Sequence, residues 1–245
     1  MKKNIFLLSL AAFIFTLSMQ GTTYGDTQIA LPSGFVQPYF HNLSKEIGLA
    51  ISYVPMEPAA PMVILGFDVG VEASAVSIHN NDPYWANVTN NSAPSTLVIP
   101  KLHVNKGLPA GIDIGLIYAS VPNSNISLIG GDIKFAILEG SVATPAVALR
   151  GSYTKLNGVS DLNLNTAGID LSISKGFGPV TPYAGVEEVF IQSSATNSAL
   201  GLSSESINSF KGFVGAKLSL MIVNLVGQVD MGELPMYSLR LNVGW

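Results

Sequence analysis

The chain has 245 residues, 48% of them hydrophobic and only 11% charged, with a formal net charge of −4 and no cysteine. A soluble domain carries about 25% charged residues, so the composition points away from an ordinary soluble protein. The missing thiols exclude disulfides, Cys-ligated metal, thiol catalysis and a lipid-modified cysteine anchor, and the acidic balance speaks against a nucleic-acid partner.

In chain order, "MKKNIFLLSLAAFIFTLSMQGTTYG" comes first, with a basic start at Lys2 and Lys3, an apolar core from Ile5 to Phe15, and small residues at Thr23 and Gly25. This reads as a cleaved secretory signal peptide over residues 1–25. An uncleaved anchor helix fits less well, because Ser9, Thr16 and Ser18 interrupt the run. Removing the peptide takes two lysines and no acid, so 12 bases and 16 acids become 10 and 16, a net charge of −6. Beyond it no apolar run reaches the roughly 18 residues of a spanning helix. The longest, "LSLMIVNLVG" at 218–227, carries Asn224.

Residues 26–61 form a separate N-terminal segment. In "SGFVQPYFHNLSKEIG", Ser33 suits a helix cap, and Val36, Phe40, Leu43 and Ile47 share one helical face, with Pro38 in the first turns. A short amphipathic helix is expected there, at the barrel rim or in its lumen. "LAISYVPM" after it could be one more strand before the Pro-rich "EPAAP".

Residues 62–245 alternate at period 2 in ten segments of about 9 to 14 residues, the length a tilted strand needs to cross a bilayer. In "VILGFDVGVEASAV", for example, Leu65, Phe67, Val69 and Val71 alternate with Gly66, Asp68, Gly70 and Glu72. High hydropathy (mean +0.41) without a spanning helix leaves such strands to carry the chain through a membrane, and they can do so only as a closed barrel. The expected fold is all-β, an antiparallel transmembrane β-barrel of 10–12 strands with a short N-terminal helix.

With the apolar face toward lipid, twelve charged side chains line the lumen: Asp68, Glu72, Lys101, Asp113, Asp132, Lys134, Arg150, Asp170, Glu187, Lys217, Asp230 and Arg240. The reverse assignment would cost about 2–4 kcal/mol for each basic residue near the midplane. Tyr118, Tyr153, Tyr183, Tyr237 and Trp245 fall near strand ends, where amphipathic rings favour the membrane interface. Counted back from a periplasmic C-terminus, the long polar connections "IHNNDPYWANVTNNSAPS", "KLNGVSDLNLN" and "SSATNSALGLSSES" all fall on the external side. A soluble β-sandwich also alternates, but it would carry more charge on its wet face.

The ending, with Tyr237, Leu239, Leu241, Val243 and Trp245 at alternate positions, resembles the C-terminal signal of Gram-negative outer-membrane proteins, where the usual last residue is Phe. "KGLPAGIDIG" and "ATPAVALRGSYTKL" are similar to stretches of small, uncharacterised outer-membrane barrels. The resemblance implies an outer-membrane location, recognition of the ending by the barrel assembly machinery, and no assigned activity.

No catalytic constellation stands out. His41, His79 and His103 are the whole imidazole supply, and Ser92, Ser95 and the "HNND" ligands His79 and Asp82 sit in what reads as a solvated loop. "GGD" at 130–132 opens no phosphate-cradling helix. No enzyme, metal or cofactor is expected. The partners expected are outer-membrane lipid, the assembly machinery and small solutes or ions. The function expected is a narrow passive channel; the alternatives are a closed structural or surface-binding barrel acting through its external loops, and a secreted soluble β-domain.

Overall fold

The period-2 pattern becomes a closed sheet. A computed structural model of the protein describes residues 29–121 and 125–244; the signal-peptide stretch 1–25 and Trp245 lie outside them. The described residues form ten strands: β1 (Phe67–Ser77), β2 (Thr96–Leu108), β3 (Ile112–Ser120), β4 (Ser127–Leu138), β5 (Ala146–Asn157), β6 (Leu162–Ser174), β7 (Val180–Ala195), β8 (Glu205–Leu220), β9 (Val223–Met231) and β10 (Met236–Gly244). Each pairs antiparallel with its sequence neighbours, and β1 closes on β10 with Glu72 opposite both Arg240 and Lys101. The fold is thus the expected all-β antiparallel transmembrane barrel, at ten strands. Two helices accompany it, α1 (Gln37–Ile51) before β1 and α2 (Pro83–Thr89) between β1 and β2.

The N-cap of α1 lies three residues later than expected. Ser33 lies in a turn, and Val36 occupies the N-cap without a side-chain bond, while Pro38 takes a first-turn position where no donor is lost. The helix then runs through "LAI", so the extra strand over "LAISYVPM" does not form. The reason is closure: β1 and β10 already pair with each other, and the barrel has no free edge for a further strand. Residues 52–61 instead run irregularly with Tyr53, Val54 and Met56 fully buried.

The strands also reach further than their apolar segments. β6 starts at Leu162, β7 runs to Ala195 and β8 starts at Glu205, so much of two long polar "loops" is paired sheet, while the third holds α2. Call this end of the barrel the loop end; the turns near Gly111, Gly140, Gly178 and Met221 make the turn end.

A ring of exposed aromatics on the outer wall, Tyr118, Tyr153, Phe190, Phe210 and Tyr237, separates two zones. On the turn side of the ring the outer wall is apolar, as at Leu149, Leu171, Val186 and Val214, with the half-buried Glu188, beside Phe190 on the outward face of β7, as a charged exception. On the loop side the next outward residues are Lys155, Gln192 and Asn208. From Phe210 to Leu220 the strand spans about 33 Å, which a tilt of about 40° reduces to about 25 Å, the height of a transmembrane apolar band. Tyr183 does not join the ring. It shares the phase of Glu187 in β7 and points inward, buried, with its hydroxyl donating to Gln228 (2.9 Å).

The inner wall inverts the outer one. Within the apolar band it is charged; beyond the ring it is apolar, with Leu128, Leu162, Leu164, Ile191 and Ile207 packed on Phe40, Leu43 and Ile47 of α1 and on Trp85 of α2. Gly48 permits this contact, since a Cβ there would lie 2.5 Å from Ile191 Cγ2. The part of the barrel beyond the ring is therefore built like a water-soluble domain.

This zoning sets opposite outcomes for two substitutions. Leu171→Arg, on the lipid face, is expected to lower unfolding free energy in lipid vesicles by about 2–4 kcal/mol if it lies near the midplane. Lys155→Leu, on the loop side of the ring, is expected to change it by less than about 0.5 kcal/mol. Equal effects would place the bilayer elsewhere on the wall.

Candidate functional site

A strand that alternates lipid-facing and lumen-facing residues delivers its charges to a space too narrow to hydrate them all, and burying an unpaired charge is expensive. Each charge in the lumen must therefore find a partner. Eleven of the twelve residues read as lumen-facing are buried: Asp68, Glu72, Lys101, Asp113, Asp132, Lys134, Arg150, Asp170, Glu187, Asp230 and Arg240. Lys217 is half-buried and has no ion pair among the described residues.

All of the buried groups but Asp68, which accepts from Asn242, assemble into three networks tied to residues 52–61, the first two bridged by Asn105 between Glu57 and His103. In the first, Glu57 lies 3.0 Å from Arg150 and 3.5 Å from Lys134, and accepts from Asn105 Nδ2 (3.1 Å). Lys134 pairs with Asp113 (2.9 Å) and donates to the carbonyls of Pro58 and Ala60. Arg150 reaches Asp170 (3.3 Å) and Asp132 (3.6 Å), and Tyr53 donates to Asp132 (2.6 Å). In the second, Lys101 pairs with Glu72 (2.9 Å), His103 lies 3.5 Å from Glu72 and 2.9 Å from Arg240 Nη1, and Arg240 Nη2 donates to the Met56 carbonyl. In the third, Lys211 lies 3.2 Å from Glu187 and 3.5 Å from Asp230, and donates to Ser52 Oγ (3.1 Å).

The N-terminal segment is therefore a plug. Contacts descend in order along it, from Ser52 with Lys211, through Tyr53 with Asp132 and Glu57 with Arg150, to the Ala60 N–H on Ser174 Oγ (3.2 Å) and the Met62 N–H on Asp113 (3.1 Å). Below it, at the turn end, a cavity of about 320 Å³ is lined by Glu57, Met62, Asp68, Lys134, Lys217 and Arg240 among others.

At the loop end Glu46 of α1, buried, holds the β1–β2 connection. Its carboxylate accepts from Tyr84 OH (2.8 Å), Trp85 Nε1 (2.6 Å) and the His79 backbone N–H (3.3 Å), and pairs with His79 Nδ1. His79 and Asp82 thus do not form a two-ligand pair: His79 is engaged by Glu46 and Asp82 accepts from Tyr84, while Ser92 donates to the Thr89 carbonyl. The hydrogen bond that His79 donates to Glu46, helped by the charge of the carboxylate, raises the His79 pKa above its ordinary 6.5, and burial followed by the bond to Glu46 raises that of Tyr84.

Sequence reasoning missed Glu57, Tyr53, His103 and Lys211. Lys211 lies between the polar connection that ends at Ser206 and the apolar alternation that begins at Phe213; with β8 starting at Glu205, it falls in phase with Ile207, Ser209 and Phe213. His103 shares the phase of Lys101 and Asn105, a signal that was present. Glu57 and Tyr53 lie in a segment without periodicity, and nothing local marks them.

No family model matches the sequence, and no curated protein matches it. Among solved structures, the β domain of the Bordetella autotransporter BrkA is similar with a TM-score of 0.37 and 10% identity, over 74% of this chain and 99% of that one. Neisserial surface protein A gives 0.31 and 9%, over 74% and 97%. Ail, the attachment invasion locus protein of Yersinia pestis, in complex with the heparin analogue sucrose octasulfate, gives 0.28 and 12%, over 73% and 95%.

Two outcomes follow from this geometry. Glu57→Gln keeps the shape but removes the charge; because Lys134 and Arg150 retain other carboxylates, the expected loss is that of a charged hydrogen bond, about 1.5–3 kcal/mol. It should appear as faster amide exchange over residues 52–62, with the strands unchanged; unaltered exchange would mean that Glu57 does not hold the plug. For His79, a raised folded pKa means stability that is full below about 6.5 and lost as pH rises through the folded value. Proteolysis of the 78–95 connection should therefore accelerate on going from mildly acidic to alkaline pH, and a Glu46→Gln variant should flatten that dependence.

Proposed function

We propose that the protein resides in the outer membrane of a Gram-negative cell as a barrel closed by its own N-terminal segment, and that it works as a structural or surface-binding element through its loop end. The observation that carries this reading is the clamp on Glu57, where the one carboxylate of the plug pairs with Arg150 and Lys134 of the wall partway down the lumen. A water-filled passage would leave such groups hydrated; here Lys134, Arg150 and Asp113 are each about 1–2% exposed. The apolar outer band supports lipid as its immediate partner, and the alternating C-terminal residues Tyr237, Leu239, Leu241 and Val243 support delivery by the barrel assembly machinery. An exported chain with this acidic balance has no nucleic-acid role, and no catalytic role is proposed for the lumen charges, which are occupied with one another.

The second reading, a narrow channel for small solutes or ions, draws on the turn-end cavity, where Lys217 lacks an ion pair among the described residues and Arg240 has none with a carboxylate. On that reading the plug is a gate and conduction requires it to withdraw.

Planar-bilayer recording of refolded mature protein, after gel migration of unboiled sample has verified a closed barrel, separates the two. Silence in the intact protein, with steady openings after deletion of residues 37–61, is the outcome expected of a closed barrel. Steady openings in the intact protein, unchanged by Glu57→Gln, would reject it in favour of the channel.

A further inference from the structure

An even number of strands returns the chain to the end of the barrel where it entered, so Phe67 and Gly244 both lie at the turn end. Residues 29–51 lie at the other end. The Leu31 N–H donates to Asp161, between β5 and β6 (3.1 Å). His41 is 2.8 Å from Glu205, the first residue of β8, and Lys45 is 2.6 Å from Glu233, between β9 and β10. Ser44 accepts from Ser193, near the end of β7 (2.7 Å). These partners come from three connections around the mouth, so α1 is fixed at the loop end from several sides.

Residues 52–62 join the two ends through the lumen. Ten residues reach at most about 33–36 Å, enough to cross an apolar band of about 25 Å in height. The stretch suits this path. From Ile47 to Phe67 its one charged side chain is Glu57, and that carboxylate meets Arg150 and Lys134 partway down. A plug that entered from the turn end and folded back would leave residues 29–51 beside the turns, where none of the contacts above could form.

We propose that the barrel carries its own N-terminal segment across the membrane: the chain makes an eleventh crossing, through the lumen, and residues 29–51 stand on the side opposite to both Phe67 and Gly244. With the loop end as the surface-binding end, the reading made under Proposed function and on which the direction rests, that side is the cell exterior. The barrel thereby acts as the export route for polypeptide joined ahead of β1, and a segment placed before residue 29 is delivered to the outer face. The lumen then serves as a polypeptide conduit in which Arg150 and Lys134 meet the one carboxylate that passes through.

The absence of cysteine makes the test direct. Three single variants of the full chain are expressed in cells and treated with a membrane-impermeant maleimide: Ser33→Cys in the exposed turn before α1, Ser198→Cys in the β7–β8 connection, and Val142→Cys in the β4–β5 turn. Ser33→Cys and Ser198→Cys are expected to label on intact cells, and Val142→Cys only after the outer membrane is permeabilised. Labelling of Ser33→Cys in step with Val142→Cys, while Ser198→Cys reacts from outside, would overturn the crossing and leave the orientation standing. Reaction of Val142→Cys alone from outside would overturn export to the exterior together with the orientation. As a second readout, the pair Ser44→Cys and Ser193→Cys should cross-link on oxidation and shift on a gel; failure to cross-link in folded protein would also overturn the crossing.

Discussion

Inside hydrocarbon a backbone N–H or C=O without a partner costs several kcal/mol, with no water to take its place. That constraint forces β1 onto β10 and leaves the sheet without an edge. Closure then decides much else. It gives each strand one lipid face and one enclosed face, which is why a chain with so few charges places many of them inside. It also leaves the N-terminal segment no sheet to join, so "SYVPMEP" is buried by side-chain contacts and not by ladder bonds.

The interior charges define the next requirement. Ion pairs in a dry space gain little over apolar packing, but each one broken leaves a costly orphan. The wall pairs most of its cations with its own carboxylates, and the plug supplies further acceptors: Lys134 takes two carbonyls, Arg240 takes the Met56 carbonyl, Lys211 takes Ser52, and Arg150 takes Glu57. Plug and wall are thus one electrostatic unit. Gly115 shows how closely they fit, since a Cβ there would meet Asp132, Asn105 and the Tyr53 hydroxyl within 2.8 Å.

Beyond the aromatic ring the same strands obey the opposite rule, with water outside and an apolar core inside. α1 belongs to both zones. Its Phe40, Leu43 and Ile47 fill the soluble-like core, its end feeds the charged conduit, and Glu46 draws the β1–β2 connection over the mouth through Tyr84, Trp85 and His79. The helix holds the loop end together while the segment after it fills the lumen.

The sequence by itself determined the fold class and the phase of the strands, because side-chain alternation is a local property that any strand must express. Asp68 and Glu72 in β1, or Lys101 in β2, could be read that way without knowing their neighbours. Strand limits were less legible: β6 and β8 extend through polar stretches because an apolar helix packs behind them, and only that packing makes Leu162, Leu164 and Ile207 interior residues. The plug was decided by tertiary structure alone. Tyr53 and Glu57 have no periodicity, and "LAISYVPM" is as apolar as a strand. What fixes them is the position of Arg150, Lys134, Asp132 and Arg240, brought together from three strands around a closed lumen, where a carboxylate and carbonyls meet the cations and the Tyr53 hydroxyl meets Asp132.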